Sequence, residues 1–158
     1  MLFELGPYRV QIDVTKTKEF YERAKAVSFV CSCDGCRNFE VAVDGLPAPI
    51  TEFFSDLGID MRKVCECYVN CVEDDGTLLY GGFYHVCGVL LEGKSAWRKI
   101  DESVSCWDDE AAFCVTPDFH ISLQEEIALL EKDFPLPALQ LEFSARIPWV
   151  LGKNNPYR

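Results

Sequence analysis

The chain has 158 residues, a formal net charge of −11 and a sequence pI near 4.6. A chain of this length buries roughly two-thirds of its unfolded surface, and 49% of its residues are apolar, so the composition excludes a disordered chain and predicts a packed core. The negative charge would repel phosphate backbones and anionic lipid surfaces, so we expect no nucleic-acid partner and no membrane partner.

The first 30 residues predict two strands separated by a helix. Residues 8–15 alternate apolar and polar side chains, a pattern typical of a half-buried strand. Residues 18–26 predict a short helix, with Thr17 as its N-cap. Residues 27–30 then predict a second strand, which leads into a cysteine-rich segment.

Two further helices are predicted before residue 60. Apolar side chains recur at helical spacing from Phe39 to Leu46, which gives one apolar face. Asp34 is expected to cap the start of this helix. Pro49 suits the first turn of the next helix, which Gly58 is expected to end.

From residue 64 onward, apolar side chains recur at every second residue instead of at helical spacing. Residues 64–72 and 78–91 predict an antiparallel hairpin, because Asp75-Gly76 supplies the positive φ that a tight turn needs. The last strand signal covers residues 139–147, and its flanking prolines predict an edge or terminal strand. Three weaker strand signals lie between them, at residues 97–100, 112–116 and 119–123.

The order of these elements predicts the fold class. Strands that follow one another through short turns do not form the alternating pattern of a parallel sheet. We therefore predict an α+β fold, mainly antiparallel β as a sheet or small sandwich, with two or three short helices in the first 60 residues. Residues 1–152 are predicted to form a single globular domain, and residues 153–158 a loose C-terminal tail.

Three segments carry a resemblance to a known family. They contain C-x-C-x-x-C-R-N-F at residues 31–39, Y-G-G-F-Y-H at residues 80–85, and a proline-flanked stretch at residues 134–151. Together they resemble a family of uncharacterised bacterial proteins of similar length. The resemblance covers most of the chain and implies a bacterial, cytoplasmic protein without implying any particular activity. An acidic start at Glu4 with no basic segment agrees with a cytoplasmic location.

Nine cysteines leave three interpretations open. In the absence of an export signal we expect reduced thiols. The first interpretation is structural, since free cysteine is among the most buried residue types. It predicts that Cys65, Cys67 and Cys71 share the buried face of one strand.

The second interpretation is a metal site at Cys31, Cys33 and Cys36. No cofactor is expected from the sequence as a whole, but zinc is possible here, because a C-x-x-C turn often supplies one pair of zinc ligands. No second C-x-x-C exists, and the fourth ligand could come from Cys65, Cys67 or His85.

The third interpretation is thiol redox chemistry at Cys33 and Cys36. A helix N-terminus lowers a thiol pKa, so Cys33 would be the nucleophile and Cys36 the resolving thiol. The carboxylate of Asp34 opposes thiolate formation.

A separate ligand-binding hypothesis concerns Tyr80, Tyr84 and His85. Gly81-Gly82 precedes two of them and would admit a ligand close to the backbone. No hydrolase, P-loop or dinucleotide motif is present. The leading hypothesis is therefore a small, non-enzymatic binding or interaction module for a protein or small-molecule partner. The alternative is a zinc-binding domain or a thiol redox protein.

Overall fold

A computed structural model describes all residues from 1 to 158. It contains one seven-stranded antiparallel sheet, a separate two-stranded ribbon, and three α-helices that all end before residue 60. The predicted α+β class is confirmed, in its sheet form. No helix is long enough and apolar enough to cross a membrane.

Side-chain caps begin two of the three helices, and a proline precedes the third. They are α1 (Val14–Arg23), α2 (Asp34–Ala42) and α3 (Ala48–Asp56). Helix α1 begins earlier than predicted because the Asp13 carboxylate, rather than Thr17, caps it and accepts the Lys16 N–H at 3.0 Å. Helix α2 is capped by the Cys33 thiol rather than by Asp34.

The strand predicted at residues 27–30 is wrong. Val27–Phe29 form a short 3₁₀ helix. The N–H groups of Phe29 and Val30 donate to the carbonyls of Ala26 and Val27, both at 3.0 Å. Because these backbone groups are satisfied within the turn, they are not available to a sheet.

The seven strands of the large sheet are arranged in an order that differs from the chain order. The large sheet runs β1-β2-β4-β9-β8-β7, β3 also pairs with β4, and β5 pairs with β6. The strands are β1 (Leu2–Leu5), β2 (Tyr8–Ile12), β3 (Glu66–Val72), β4 (Leu78–Glu92), β5 (Trp97–Lys99), β6 (Ser105–Trp107), β7 (Phe113–Thr116), β8 (Phe119–Gln124) and β9 (Ala138–Ile147).

The β3–β4 hairpin is confirmed, and the position of β9 is corrected. Strands β3 and β4 pair antiparallel, with Gly76 at φ +88° in the connecting turn. Strand β9 is not an edge strand, because it pairs with β4 on one side and β8 on the other. The flanking Pro137 and Pro148 lie just outside β9, so no ladder hydrogen bond is lost inside it.

One edge of β4 is shared by three elements. Strand β3 pairs with its first half and β2 with its last residues, which leaves a gap near His85. Helix α1 fills this gap: the Tyr21 hydroxyl donates to the His85 carbonyl at 2.8 Å and accepts the His85 N–H at 3.1 Å. Thr17 Oγ1 accepts the Cys87 N–H at 3.0 Å. Side chains of α1 thus satisfy backbone groups that lack a partner strand.

Replacing Tyr21 by Phe is expected to lower the free energy of unfolding by about 1–3 kcal/mol, because the change leaves a buried N–H and a buried carbonyl of His85 unpaired. Urea unfolding measures the loss. The matched control is Tyr68→Phe, since the Tyr68 side chain is 37% exposed, and it should change stability by less than about 0.5 kcal/mol. Equal effects of the two variants would contradict this role for Tyr21.

The two faces of the sheet differ in character. The helices cover an aromatic face, on which Phe39 of α2 packs against Tyr80 and Phe143, with ring centroids 5.3 Å and 5.5 Å apart. The opposite face buries polar side chains, among them His85, Gln140 and Glu142. Gln140 Nε2 donates to Glu142 Oε1 at 2.7 Å, so this polar row is internally paired. The aromatic face holds α2, and with it the cysteine motif, against the sheet.

Candidate metal centre

The cysteine motif lies at the start of α2. Cys33 is the N-cap, and its Sγ accepts the Cys36 N–H at 3.5 Å. The Cys31 and Cys33 Sγ atoms are 3.2 Å apart. All three Sγ atoms of Cys31, Cys33 and Cys36 lie within 4.8 Å of one another, so this cluster could hold a metal ion. The expectation that Cys33 and Cys36 lie together beside a helix N-terminus is confirmed.

A fourth thiol reaches the cluster from the sheet. Helix α2 packs on β3, and the side chain of Cys67 faces the helix rather than solvent. The Cys67 Sγ lies 3.8 Å from the Cys36 Sγ. In a tetrahedral zinc site with Zn–S bonds near 2.3 Å, neighbouring sulfurs are about 3.8 Å apart. The Cys36–Cys67 separation therefore fits two ligands of one ion.

The thiols of the cluster differ in environment. Burial raises the pKa of Cys36, and the neighbouring Cys67 raises it further. Burial also raises the pKa of Cys67 to about 12. The pKa of Cys31 is lowered, first by the hydrogen bond from the Cys33 backbone and then by hydrogen bonds from the other thiols. A bound cation would favour the thiolate form at every one of these positions.

The C-terminal segment contacts the same helix start. Lys153 Nζ lies 2.7 Å from Asp34 Oδ1, so the charge of Asp34 is paired rather than left to oppose a thiolate. The Tyr157 ring packs over the first turn of α2, and a Cβ at Gly35 would lie only 2.7 Å from the Tyr157 hydroxyl. Glycine at position 35 therefore leaves room for Tyr157. Residues 153–158, expected as a loose tail, make specific contacts beside the cluster.

Buried polar side chains fix α2 beneath the cluster. The Tyr80 hydroxyl donates to the Gly35 carbonyl at 2.7 Å and accepts from Asn38 Nδ2 at 3.2 Å. Asn38 also donates to the Pro148 carbonyl at 3.0 Å and accepts the Val150 N–H at 2.7 Å. Sequence reasoning missed Asn38; the available signal was an amide within the otherwise apolar face of α2.

The three residues of the ligand hypothesis are not brought together. Tyr80 and Tyr84 are fully buried under the helices, and the Tyr84 hydroxyl donates to the Met61 carbonyl at 2.8 Å. His85 lies on the opposite face, with Nε2 3.4 Å from Gln140 Oε1. At Gly82, a Cβ would lie 2.2 Å from the Glu66 carbonyl oxygen. The missing side chain therefore lets the backbone of β3 approach β4 closely, and it does not make room for a ligand.

The shared buried face predicted for Cys65, Cys67 and Cys71 is wrong. A register shift between Val69 and Cys71 interrupts β3, and Cys71 becomes exposed. A bulge reverses which face the following side chains occupy, so alternation beyond it fails. Cys65 precedes the strand, and its Sγ lies 3.7 Å from the Leu129 carbonyl. Of the three cysteines, Cys67 is the one that contacts the cluster.

Comparison with known proteins adds no assignment. No family model, curated protein or solved structure is significantly similar to this chain. The resemblance to bacterial proteins stays a prediction.

Proposed function

We propose that this chain is a non-enzymatic zinc-binding domain whose metal is held by Cys31, Cys33, Cys36 and Cys67. The observation that carries the proposal is the 3.8 Å separation between Cys67 Sγ on β3 and Cys36 Sγ on α2. It supplies a fourth thiol to a cluster that otherwise offers three. Four protein ligands are typical of closed, structural zinc sites.

Such a site would join two segments that are distant in the chain. The loop before α2 contributes Cys31 and Cys33, the helix contributes Cys36, and β3 contributes Cys67. Zinc binding would stabilise the packing of α2 on β3, because the folded state brings Cys67 to 3.8 Å from Cys36, and the ion would draw Cys67 closer to the three-thiol cluster. The Cys31 and Cys33 Sγ atoms, 3.2 Å apart, would separate by about 0.6 Å to reach tetrahedral spacing.

The test is the metal content of the protein purified without chelator. We expect one zinc per chain by elemental analysis, four thiols protected from a thiol reagent, and their release when a chelator removes the metal. Cobalt(II) substitution should give the absorption of a tetrahedral thiolate complex. Cys106→Ala is the matched control, because Cys106 is exposed and distant in the chain from the cluster. Full reactivity of all nine thiols in metal-loaded protein would contradict the proposal.

A second candidate is a thiol redox pair of Cys33 and Cys36. Two observations favour this pair: Cys33 is exposed at the helix N-terminus, and the Cys33 Sγ accepts a hydrogen bond from the Cys36 N–H. Oxidation would form the Cys33–Cys36 disulfide, while one oxidised glutathione accepts two electrons and two protons to give two thiols. A loss of two hydrogen atoms from the mass of the metal-free protein on incubation with oxidised glutathione, mapped to a peptide pair that contains Cys33 and Cys36, would support it. Unchanged mass would exclude it.

A further inference from the structure

A separate cleft is lined by none of the four cysteines of the candidate metal centre. It lies between the end of α1, residues 63–65 and residues 129–133, and it has a volume of about 650 Å³. His85 lies at its base. This volume falls within the range of about 300–1,000 Å³ that is usual for small-molecule sites.

The cleft has an apolar wall and an apolar mouth. Phe20, Tyr21 and Val64 form buried parts of the wall. Val30 and Leu129 line the mouth and are 82% and 67% exposed. Leu129 has a φ of +55°, a conformation that leucine rarely adopts and that is found more often at binding and active sites than elsewhere.

Most of the charges that line the cleft are already paired. Arg23 Nε lies 3.1 Å from Asp133 Oδ2. Lys63 Nζ lies 3.8 Å from Asp60 Oδ2 and also donates to the Tyr21 carbonyl. These pairs leave little net charge for a ligand to meet.

The base of the cleft is neutral near pH 7. Burial lowers the pKa of His85, so its imidazole is uncharged. Charge selectivity at this cleft therefore depends on its rim.

Two rim residues have no salt bridge. Lys25 and Glu131 both line the cleft and are exposed, and neither has an oppositely charged side chain within 4.0 Å. Lys25 Nζ instead lies 5.6 Å from the centroid of the Phe29 ring. The rim thus offers one cation and one carboxylate beside an apolar wall.

We propose that this cleft binds a small zwitterion with an apolar body, an apolar amino acid or short apolar peptide, whose carboxylate pairs with Lys25 and whose ammonium pairs with Glu131. The apolar body contacts Phe20 and Val64. A purely anionic or purely cationic ligand would meet one like charge on the rim, which lowers its affinity. This ligand site does not depend on the zinc centre.

The test compares matched ligands by isothermal titration calorimetry on the full chain. The probes are phenylalanine and leucyl-phenylalanine, each beside its N-acetyl form, which lacks the ammonium, and its C-terminal amide, which lacks the carboxylate. We expect at least one parent zwitterion to bind, and both of its derivatives to bind about tenfold more weakly, as for the loss of one charge-assisted hydrogen bond. The parent that binds more tightly identifies the amino-acid or the peptide source.

Charge-neutral variants assign the two contacts. Lys25→Gln removes the partner of the ligand carboxylate, so this variant should no longer prefer the parent to its amide. Glu131→Gln removes the partner of the ligand ammonium, so this variant should no longer prefer the parent to its N-acetyl form. Both positions are exposed, so folding should be retained, and zinc content should stay unchanged. Lys132→Gln, an exposed neighbour outside the cleft, is the control and should leave both preferences intact. Failure of both parents to bind, equal binding of the derivatives, or preferences that survive both variants would overturn the proposal.

Discussion

Replacing Cys67 by Ala is expected to weaken zinc binding at least about 100-fold. Apparent binding free energies of structural zinc sites are about 10–16 kcal/mol, so one of four ligands contributes roughly 3 kcal/mol. Cys67 is the one proposed ligand that comes from the sheet, and its Sγ lies 3.8 Å from that of Cys36. Competition with a chromophoric chelator measures the affinity of each variant.

The matched control for this prediction is Cys71→Ala. Cys71 belongs to the same strand, but it is exposed after the register shift. The Cys71→Ala variant should therefore bind zinc as tightly as the unmodified chain. Metal-free Cys67→Ala should lose little stability compared with the metal-free parent, because only a small, partly buried side chain is truncated. Equal zinc affinities of the Cys67 and Cys71 variants would show that Cys67 is not a ligand.

Replacing Gly82 by Ala is expected to destabilise the fold by about 3 kcal/mol or more and to weaken zinc binding as well. A Cβ at position 82 would lie 2.2 Å from the Glu66 carbonyl oxygen and 2.9 Å from the Cys67 Cα. Both contacts are with backbone, so relief requires β3 to move away from β4, which costs at least as much as a severe overpacking substitution. That movement would displace Cys67 from Cys36.

Thermal unfolding and the zinc competition assay together check the Gly82 prediction. Gly45→Ala is the control, because a Cβ there would meet nothing within 4 Å. It should leave both stability and zinc affinity close to those of the parent. A Gly82→Ala protein with parental stability would contradict the close approach of β3. A destabilised variant with parental zinc affinity would contradict the coupling of this strand to the metal centre.

The local parts of the fold follow directly from sequence pattern. The helical spacing that begins at Phe39 and the Asp75-Gly76 turn are properties of neighbouring residues. The hairpin is confirmed, and the helix is confirmed as far as Ala42, after which Val43–Gly45 continue as a 3₁₀ turn and Leu46 is extended. The placement of Cys33 and Cys36 at a helix start is equally local, since three residues of chain fix it. Periodicity and turn chemistry act over a few residues, so a single sequence determines them.

Longer-range features were decided by packing. Residues 139–147 were predicted to form an edge or terminal strand. Strand β9 is the last strand in the chain, but it lies inside the sheet, because prolines outside a strand leave both of its edges free to pair. Tyr80 was predicted to line a pocket, but its hydroxyl holds the first turn of α2. Residue type and alternation do not show which other element covers a given face.

The candidate metal centre also combines residues that the sequence predicts with one that depends on tertiary packing. The sequence by itself determined three of its thiols, Cys31, Cys33 and Cys36, because a C-x-C-x-x-C segment before a helix brings them together locally. Only the tertiary structure selected Cys67 over Cys65 and His85, since that choice depends on which residue of β3 faces α2. A bulge after Val69 reverses the alternation, so strand parity could not identify the cysteines that face the helix. The contact between Cys36 and Cys67 forms only when α2 and the β3–β4 hairpin bury their apolar faces together.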